Sequence, residues 1–122
     1  MLRRLILIFI SCIFFVTTSL FSQSKVDSLR NLLKTLPEDT NKVNAYLQLH
    51  VTLHLEDPGL GYGYLEKALA LSYELDFKKG QLKSLLDLGI HLETRSEYDS
   101  ALSLYQETQR RAEVLGKRED LM

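Results

Sequence analysis

The apolar side chains recur along this chain with a period of about 40 residues, and this recurrence restricts the possible folds more than any other feature. A shift of 40 positions places Leu75 on Leu115, and a shift of 39 places Leu49 on Leu88. The turn around Pro58 accounts for the difference of one residue. A single short unit cannot bury its own apolar face, so units with this period stack on one another.

Within the units, the apolar residues are spaced as on one face of an α-helix. In the first segment Val26, Leu29 and Leu33 recur at three and four positions, and Ser24 and Pro37 are suited to begin and end the helix. Four more amphipathic runs follow, at about 43–55, 62–75, 82–95 and 98–116, the last ending at Gly116. No segment long enough to form a strand alternates between apolar and polar residues. We therefore predict an all-α fold, a solenoid of antiparallel helix pairs.

The second unit carries a specific motif. Its repeat-packing residues are Leu85, Leu88, Gly89 and Leu92 on the first helix, and Tyr98, Ala101 and Tyr105 on the second. This spacing resembles the tetratricopeptide repeat (TPR), and the period of 40 resembles exported TPR proteins of Bacteroidetes-type bacteria. Small residues at Gly89 and Ala101 let the two helices approach closely where they cross. Thr108 stands where the family usually has Ala.

The first unit matches the motif less well. Leu49, Leu53 and Ala68 fit, but His50 occupies the position of the helix-crossing glycine. Its second helix begins with Gly59, Gly61 and Gly63, and each glycine costs about 1 kcal/mol of helix propensity relative to Ala. We expect that helix start to be frayed or packed tightly against a neighbour.

These patterns divide the chain into four parts. Residues 1–22 form a signal peptide, 23–40 an N-terminal amphipathic helix with a linker, and 41–118 two TPR-like repeats at about 42–77 and 82–116. Residues 117–122 align with the linker 77–82 and are expected to begin a truncated third repeat. Solenoids need about three repeats or a polar cap, so the chain is expected to be a fragment of a longer protein.

The signal peptide is indicated by the order of its segments. Arg3 and Arg4 precede a 12-residue segment, Leu5–Val16, that is apolar apart from Ser11, and small polar residues follow, with a plausible cut between Ser22 and Gln23. An uncleaved inner-membrane anchor is the alternative, although it needs about 18–20 apolar residues. Lipidation of Cys12 is disfavoured because a lipobox does not precede it. The expected location is periplasmic or secreted, or the inner membrane if the helix is retained.

The composition and motifs argue against chemistry at a catalytic or metal site. The net charge of -1 is too low for a nucleic-acid-binding domain. His50 and His54 are four residues apart, but Val51 stands where a zinc protease needs Glu and no third ligand is evident. The three glycines precede no Gly-Lys-Ser/Thr sequence, so they do not indicate a phosphate loop. We expect no enzyme activity, cofactor, metal or nucleic acid.

What remains is a surface for a protein or peptide partner. The resemblance implies that the first helix of each pair lines a groove. The groove positions are Asn44, Leu47, Val51 and His54 in the first unit, and Lys83, Leu86, Ile90 and Glu93 in the second. Only Asn44 and Lys83 suit the family's clamp for a terminal carboxylate, so that clamp is not expected. The apolar members suit an amphipathic helix or the chain's own helix 25–36.

The resulting hypothesis is an exported TPR interaction module, a scaffold or sensor, as part of a larger signalling protein. The alternative is an envelope structural or assembly protein anchored by its uncleaved N-terminal helix. The identity of the partner and the oligomeric state are not encoded in any motif.

Overall fold

The computed structural model describes residues 1–120, apart from the side chains of Thr18, Ser19, Ser22 and Asp120; Leu121 and Met122 lie outside the described residues. Five helices follow one another: α1 (Leu2–Leu33), α2 (Thr40–Leu53), α3 (Pro58–Glu74), α4 (Lys78–Thr94) and α5 (Tyr98–Asp120). No strand occurs in the described part of the chain. The prediction of an all-α fold is confirmed.

The first helix runs without a break through both the apolar N-terminal segment and the amphipathic segment after it. Ser24 does not begin a helix, so the predicted N-cap is wrong, and α1 ends at Leu33 rather than at Pro37. The reason is local: neither Gly nor Pro interrupts residues 2–33, so nothing stops the helix from propagating across the junction.

The two halves of α1 differ in what they contact. The large apolar side chains between Leu2 and Phe21 are 50% to 79% exposed. Val26 and Leu29, by contrast, are 2% and 9% exposed and form a cluster with Leu49 and Leu53 of α2. The folded core therefore begins at about Val26, and the described side chains before it add nothing to the core.

A search of the described residues finds no helix that is both long enough and apolar enough to span a bilayer.

Two aspartates fix the starts of the first helical hairpin. Asp39 accepts hydrogen bonds from the backbone N–H groups of Asn41 (2.9 Å) and Lys42 (3.3 Å) at the start of α2. Asp57 accepts one from Leu60 N–H at 3.1 Å, and Pro58 occupies the first turn of α3, where its missing N–H is not needed. Both helices thus begin earlier than the apolar pattern alone indicates.

The turns after α3 and α4 share one hydrogen-bonding pattern. Phe77 N–H donates to Ser72 O at 2.8 Å, and Glu97 N–H donates to Leu92 O at 2.9 Å. The residue in the middle of each turn, Asp76 or Ser96, has a φ of 51° or 62°. This is the Schellman ending of a helix, with a non-glycine residue in the left-handed position. Because both turns are three residues long, consecutive helices reverse direction.

The α2–α3 hairpin is antiparallel and closely packed at one crossing. Tyr46 stacks on Tyr64 at 6.1 Å between ring centroids, and His50 Nδ1 lies 3.0 Å from Gly61 O. A Cβ atom at Gly61 would lie 3.3 Å from both His50 O and His54 N. Of the two expectations for this glycine-rich start, tight packing is confirmed at Gly61.

The α4–α5 hairpin also has a glycine at its closest contact. This glycine lies on the first helix of the pair, whereas Gly61 lies on the second. A Cβ atom at Gly89 would lie 2.3 Å from the ring of Tyr105, so only glycine admits that ring. Ala101, which corresponds to Gly61 after a shift of 40, is 1% exposed. Gly89 therefore lies directly against the Tyr105 ring of α5, and Ala101 is buried.

The hairpins pack in sequence order, and α2 also contacts α4. The main core contains Val43, Leu47, Leu65, Ala68 and Leu71 from α2 and α3, covered by Phe77 and Leu88. Gln81 of α4 donates a buried hydrogen bond to Ser72 O at 3.1 Å. Side chains of α4 therefore close the core of the first hairpin.

The last helix continues beyond the predicted end at Gly116, as far as Asp120. Lys117 to Glu119 favour a helix and no proline follows, so a glycine in open space is not enough to end it. The aligned loop at Leu75–Phe77 thus has no counterpart at 115–117. The remaining residues of the predicted third repeat, Leu121 and Met122, lie outside the described residues.

The Gly61 crossing provides a direct test of the hairpin packing. Gly61→Val should destabilise residues 23–122 by about 2 kcal/mol, because its side chain meets backbone atoms that cannot rotate away. Gly63→Val is the matched control, since nothing lies within 4 Å of a Cβ there, and it should change stability by less than about 0.5 kcal/mol. Urea unfolding followed by circular dichroism measures both. Equal destabilisation by the two variants would contradict the packing described.

Candidate binding cleft

A cleft of about 490 Å³ lies among α1, α2 and the start of α4. We call it the central cleft. It is lined by Lys25, Asn44, Leu47, Gln48, Val51, Thr52, Phe77, Lys79, Gly80 and Lys83.

The central cleft combines an apolar floor with a polar and cationic rim. Leu47 is buried and belongs to the main core, and Phe77 packs against the same core. Amide and hydroxyl groups come from Asn44, Gln48 and Thr52. Ammonium groups come from Lys25, Lys79 and Lys83, and none of the lining residues is acidic. Such a surface can hold an extended or helical segment that carries both apolar and acidic side chains.

Two of the three cleft lysines have an acidic neighbour outside the lining. Lys83 Nζ lies 3.4 Å from Asp87 Oδ1, one turn further along α4, and Lys79 Nζ lies 3.7 Å from Glu119 Oε1. Asp87 is 6% exposed, and its Oδ2 is buried with no hydrogen-bond partner among the described atoms. The buried carboxylate orients the Lys83 side chain, whereas the exposed Lys79–Glu119 pair is worth little.

The structure brings together half of the predicted groove residues. Asn44, Leu47, Val51 and Lys83 line the central cleft. Leu86, Ile90, Glu93 and His54 do not. Leu86 and Ile90 are about half exposed, Glu93 accepts a hydrogen bond from Tyr105 OH at 3.1 Å, and His54 Nδ1 lies 3.0 Å from Val51 O.

Sequence reasoning missed two of the cleft lysines and its aromatic residue. Lys25 enters because α1 packs along α2, and Lys79 enters because α4 begins at Lys78, within the segment 77–82 that the sequence pattern indicates as a linker. Phe77 folds beneath the first turn of α4, where a Cβ at Gly80 would lie 2.4 Å from its ring. The Phe77–Gly80 pair, three residues apart at a helix start, was the available signal. Of the two occupants that suit the groove, the chain's own helix 25–36 is not placed in it: Val26 and Leu29 of α1 pack on Leu49 and Leu53.

Most of the predicted repeat-packing residues do pack. Leu85 and Ala101 are buried, Gly89 lies against Tyr105, and Leu88 packs on the main core. Leu92 is half-buried beside α5. Tyr98 differs: it is 64% exposed because it stands at the very start of α5, beyond the helix crossing.

The three histidines lie closer together than the sequence indicates. The rings of His50 and His54 are 6.4 Å apart, and His91 interacts electrostatically with His50. His50 is buried, as expected for a helix contact, with its Nδ1 directed at Gly61 O. Among the described residues, no group of three His, Cys, Asp or Glu side chains is arranged to hold a metal ion.

His91 is instead part of the α3–α4 interface. Its ring stacks on Tyr62 with 4.5 Å between centroids. Partial burial lowers the pKa of His91 below its ordinary value of 6.5, and Arg95 and His50 lower it further, while Glu97 opposes them. Burial also raises the pKa of Tyr62, helped by Glu66. Both shifts favour the neutral form of the ring.

Comparisons with known proteins identify no relative of this chain. No protein-family model matches the chain, and neither a curated protein nor a solved structure matches it.

The lowered pKa of His91 predicts how stability changes with pH. The unfolded chain binds a proton at this site more readily than the folded chain, so protonation favours unfolding. The contribution of His91 to stability is thus lost as the pH falls through 6.5 towards the lower pKa of the folded state. His91→Phe keeps an aromatic ring against Tyr62 but cannot be protonated.

The variant should lose less stability than the parent between about pH 7.5 and about pH 5, as measured by urea unfolding. An identical loss in both proteins would contradict the assigned role of His91.

Proposed function

We propose that this protein is an exported, TPR-like helical-repeat module that binds a segment of another protein in its central cleft and has no catalytic role. The observation that carries the proposal is the cleft itself, in which three lysines and three uncharged polar side chains surround an apolar floor. Its lining offers binding groups and no nucleophile paired with a base.

The packing of the helices supports the repeat interpretation. Both hairpins cross at a small residue, Gly61 in the first and Gly89 in the second. The contact of α2 with α4 brings the first helices of the two units side by side, which is the arrangement that forms a groove in stacked repeats. The C-terminal half of α1 covers α2 much as α3 covers α4, so it serves as an N-terminal cap of the array.

The exposure of the first part of α1 supports an export signal. The large apolar side chains between Leu2 and Phe21 are at least half exposed, so they suit an apolar environment such as a bilayer, and the basic residues before them orient the segment there. Because the core begins at Val26, a cut after Ser22 leaves every buried residue of the described chain in place. We propose that the mature protein begins at Gln23 and lies in the periplasm or outside the cell.

The chemistry of the cleft favours an acidic amphipathic segment as the partner. Desolvating apolar side chains over Leu47 and Phe77 supplies most of the affinity, and carboxylates near the lysines direct the segment and raise its association rate. Lys25 and Lys79 add to the two positions, Asn44 and Lys83, that suit a carboxylate. An acidic partner therefore fits better than the sequence alone indicated.

The charge preference is testable with a matched pair of probes. A fluorescein-labelled amphipathic peptide of Leu, Ala and Glu should bind residues 23–122, and its Lys-for-Glu analogue should bind at least about 10-fold more weakly. Lys79→Glu with Lys83→Glu should reverse that preference. Lys117→Glu, an exposed residue outside the cleft, is the control and should change little. Fluorescence anisotropy measures the affinity of each protein for each of the two peptides.

Binding that ignores the sign of the peptide charge would count against this partner, and unchanged binding by the double variant would count against the cleft.

Export is tested by the mass of the protein recovered from a bacterial host. Loss of residues 1–22 should leave Gln23 as the N-terminus, read by intact mass and N-terminal sequencing of the periplasmic fraction. Ile8→Arg with Phe14→Arg interrupts the apolar run and should keep the full-length protein in the cytoplasm. Recovery of full-length protein from the membrane fraction of the parent would show that the helix is retained, contrary to the proposal.

A further inference from the structure

The buried carboxylate of Asp87 on α4 is only partly compensated. Asp87 is 6% exposed, and its Oδ2 atom has no hydrogen-bond partner among the described atoms. Its Oδ1 atom lies 3.4 Å from Lys83 Nζ, which is longer than a well-formed hydrogen bond. The Lys83 side chain is 58% exposed, so water competes with Asp87 for its ammonium group. A buried charge with so little compensation costs free energy in the folded protein.

Asp87 lies on the face of α4 that borders the central cleft. Gly80 and Lys83 line the cleft, and Asp87 follows Lys83 after four residues, on the same side of the helix. Lys79, which pairs with Glu119 only at the exposed surface, precedes Lys83 by four residues. Along the cleft and just beyond it, α4 therefore presents two ammonium groups and then one carboxylate, at steps of about 6 Å along the helix axis.

The Lys83–Asp87 pair is unequal, and this allows an exchange of partners. The exposed Lys83 side chain can turn towards the cleft, whereas the buried Asp87 side chain stays in place. A bound segment that brings a cation to Asp87 and a carboxylate to Lys83 replaces one long ion pair by two. This gain exists only in the complex, so it contributes to the choice of partner.

The geometry of the carboxylate favours arginine as the incoming cation. Lys83 offers a single contact, to Oδ1, and leaves Oδ2 without a donor. A planar guanidinium can donate two parallel hydrogen bonds to the two oxygens of one carboxylate. It is also more weakly hydrated than an ammonium group, so it enters a partly buried site at a lower cost.

We propose that Asp87 is a specificity-determining residue of the central cleft, which selects a partner segment with an arginine at one end of its row of acidic side chains. The inference rests on the proposed function and specifies the charge pattern of that partner. The arginine binds Asp87, Lys83 turns to the nearest carboxylate of the segment, and Lys79 and Lys25 bind the carboxylates beyond it.

The test extends the peptide of Leu, Ala and Glu that probes the central cleft. In four further labelled peptides, the first or the last Glu is replaced by either Arg or Gln, so that both directions of binding are covered. At one of the two ends, the Arg peptide should bind residues 23–122 at least about 10-fold more tightly than the Gln peptide. Gln is the matched control because it removes the repulsion between Glu and Asp87 without adding a cation.

Variants of the protein assign the preference to one residue. Asp87→Asn has nearly the same shape and should remove the preference for Arg over Gln, while the all-Glu peptide binds at least as tightly as before. Asp87→Glu keeps a carboxylate and should retain the preference. Glu74→Gln, at an exposed residue outside the cleft lining, changes the net charge as Asp87→Asn does and should also retain it. Circular dichroism should show unchanged helicity in each variant.

Two results would overturn this inference and leave the proposed function intact, because the all-Glu peptide would still bind. The first is equal binding of the Arg and Gln peptides at both ends, a comparison that needs no variant of the protein. The second is a preference for Arg that persists in Asp87→Asn, or a loss of affinity in that variant that is equal for all five peptides, as a purely structural role predicts. A failure of every peptide to bind would overturn the proposed function as well.

Discussion

The close approach of the two helices in each hairpin is the contact on which the rest of the structure depends. In the second hairpin the Tyr105 ring occupies the space where Gly89 lacks a side chain, and in the first His50 lies over Gly61. A larger residue at Gly61 would meet backbone atoms of α2 and force the helices apart, and a larger residue at Gly89 would displace the Tyr105 ring. The spacing of the helices in each hairpin also determines the shape of the central cleft, because the cleft forms where α2 lies beside α4.

The two hairpins meet the same requirement with different residues. The second uses two small residues, Gly89 and Ala101, whereas the first places a bulky imidazole at the position of Gly89 and compensates with Gly61 at the position of Ala101. The Nδ1 atom of His50 lies within hydrogen-bond distance of Gly61 O, so this buried nitrogen has a polar partner. The first unit departs from the motif because a large and a small side chain have exchanged places between its two helices.

The helices and their buried faces could be predicted because they depend on spacing within each segment. Val26, Leu29, Leu85 and Ala101 are buried as their periodicity predicts. The helix ends were predicted less well. The apolar pattern does not contain the caps at Asp39 and Asp57, and Ser24 failed as a cap because the residues before it also favour a helix. Lys25 lines the cleft because α1 packs along α2, and Lys79 lines it because α4 begins at Lys78, and no local apolar pattern describes either feature.

Each helix contacts mainly the helices next to it in sequence, and this affects how the protein unfolds. Few interactions connect residues that are distant along the chain, so such a fold forms rapidly and each junction is stabilised largely by itself. Among the described helices, α5 is held mainly by α4 and is expected to exchange its amide hydrogens first, while the α2–α3 hairpin, covered by α1 and α4, is expected to exchange them last. Stability is thus graded along the described helices and is lowest at α5.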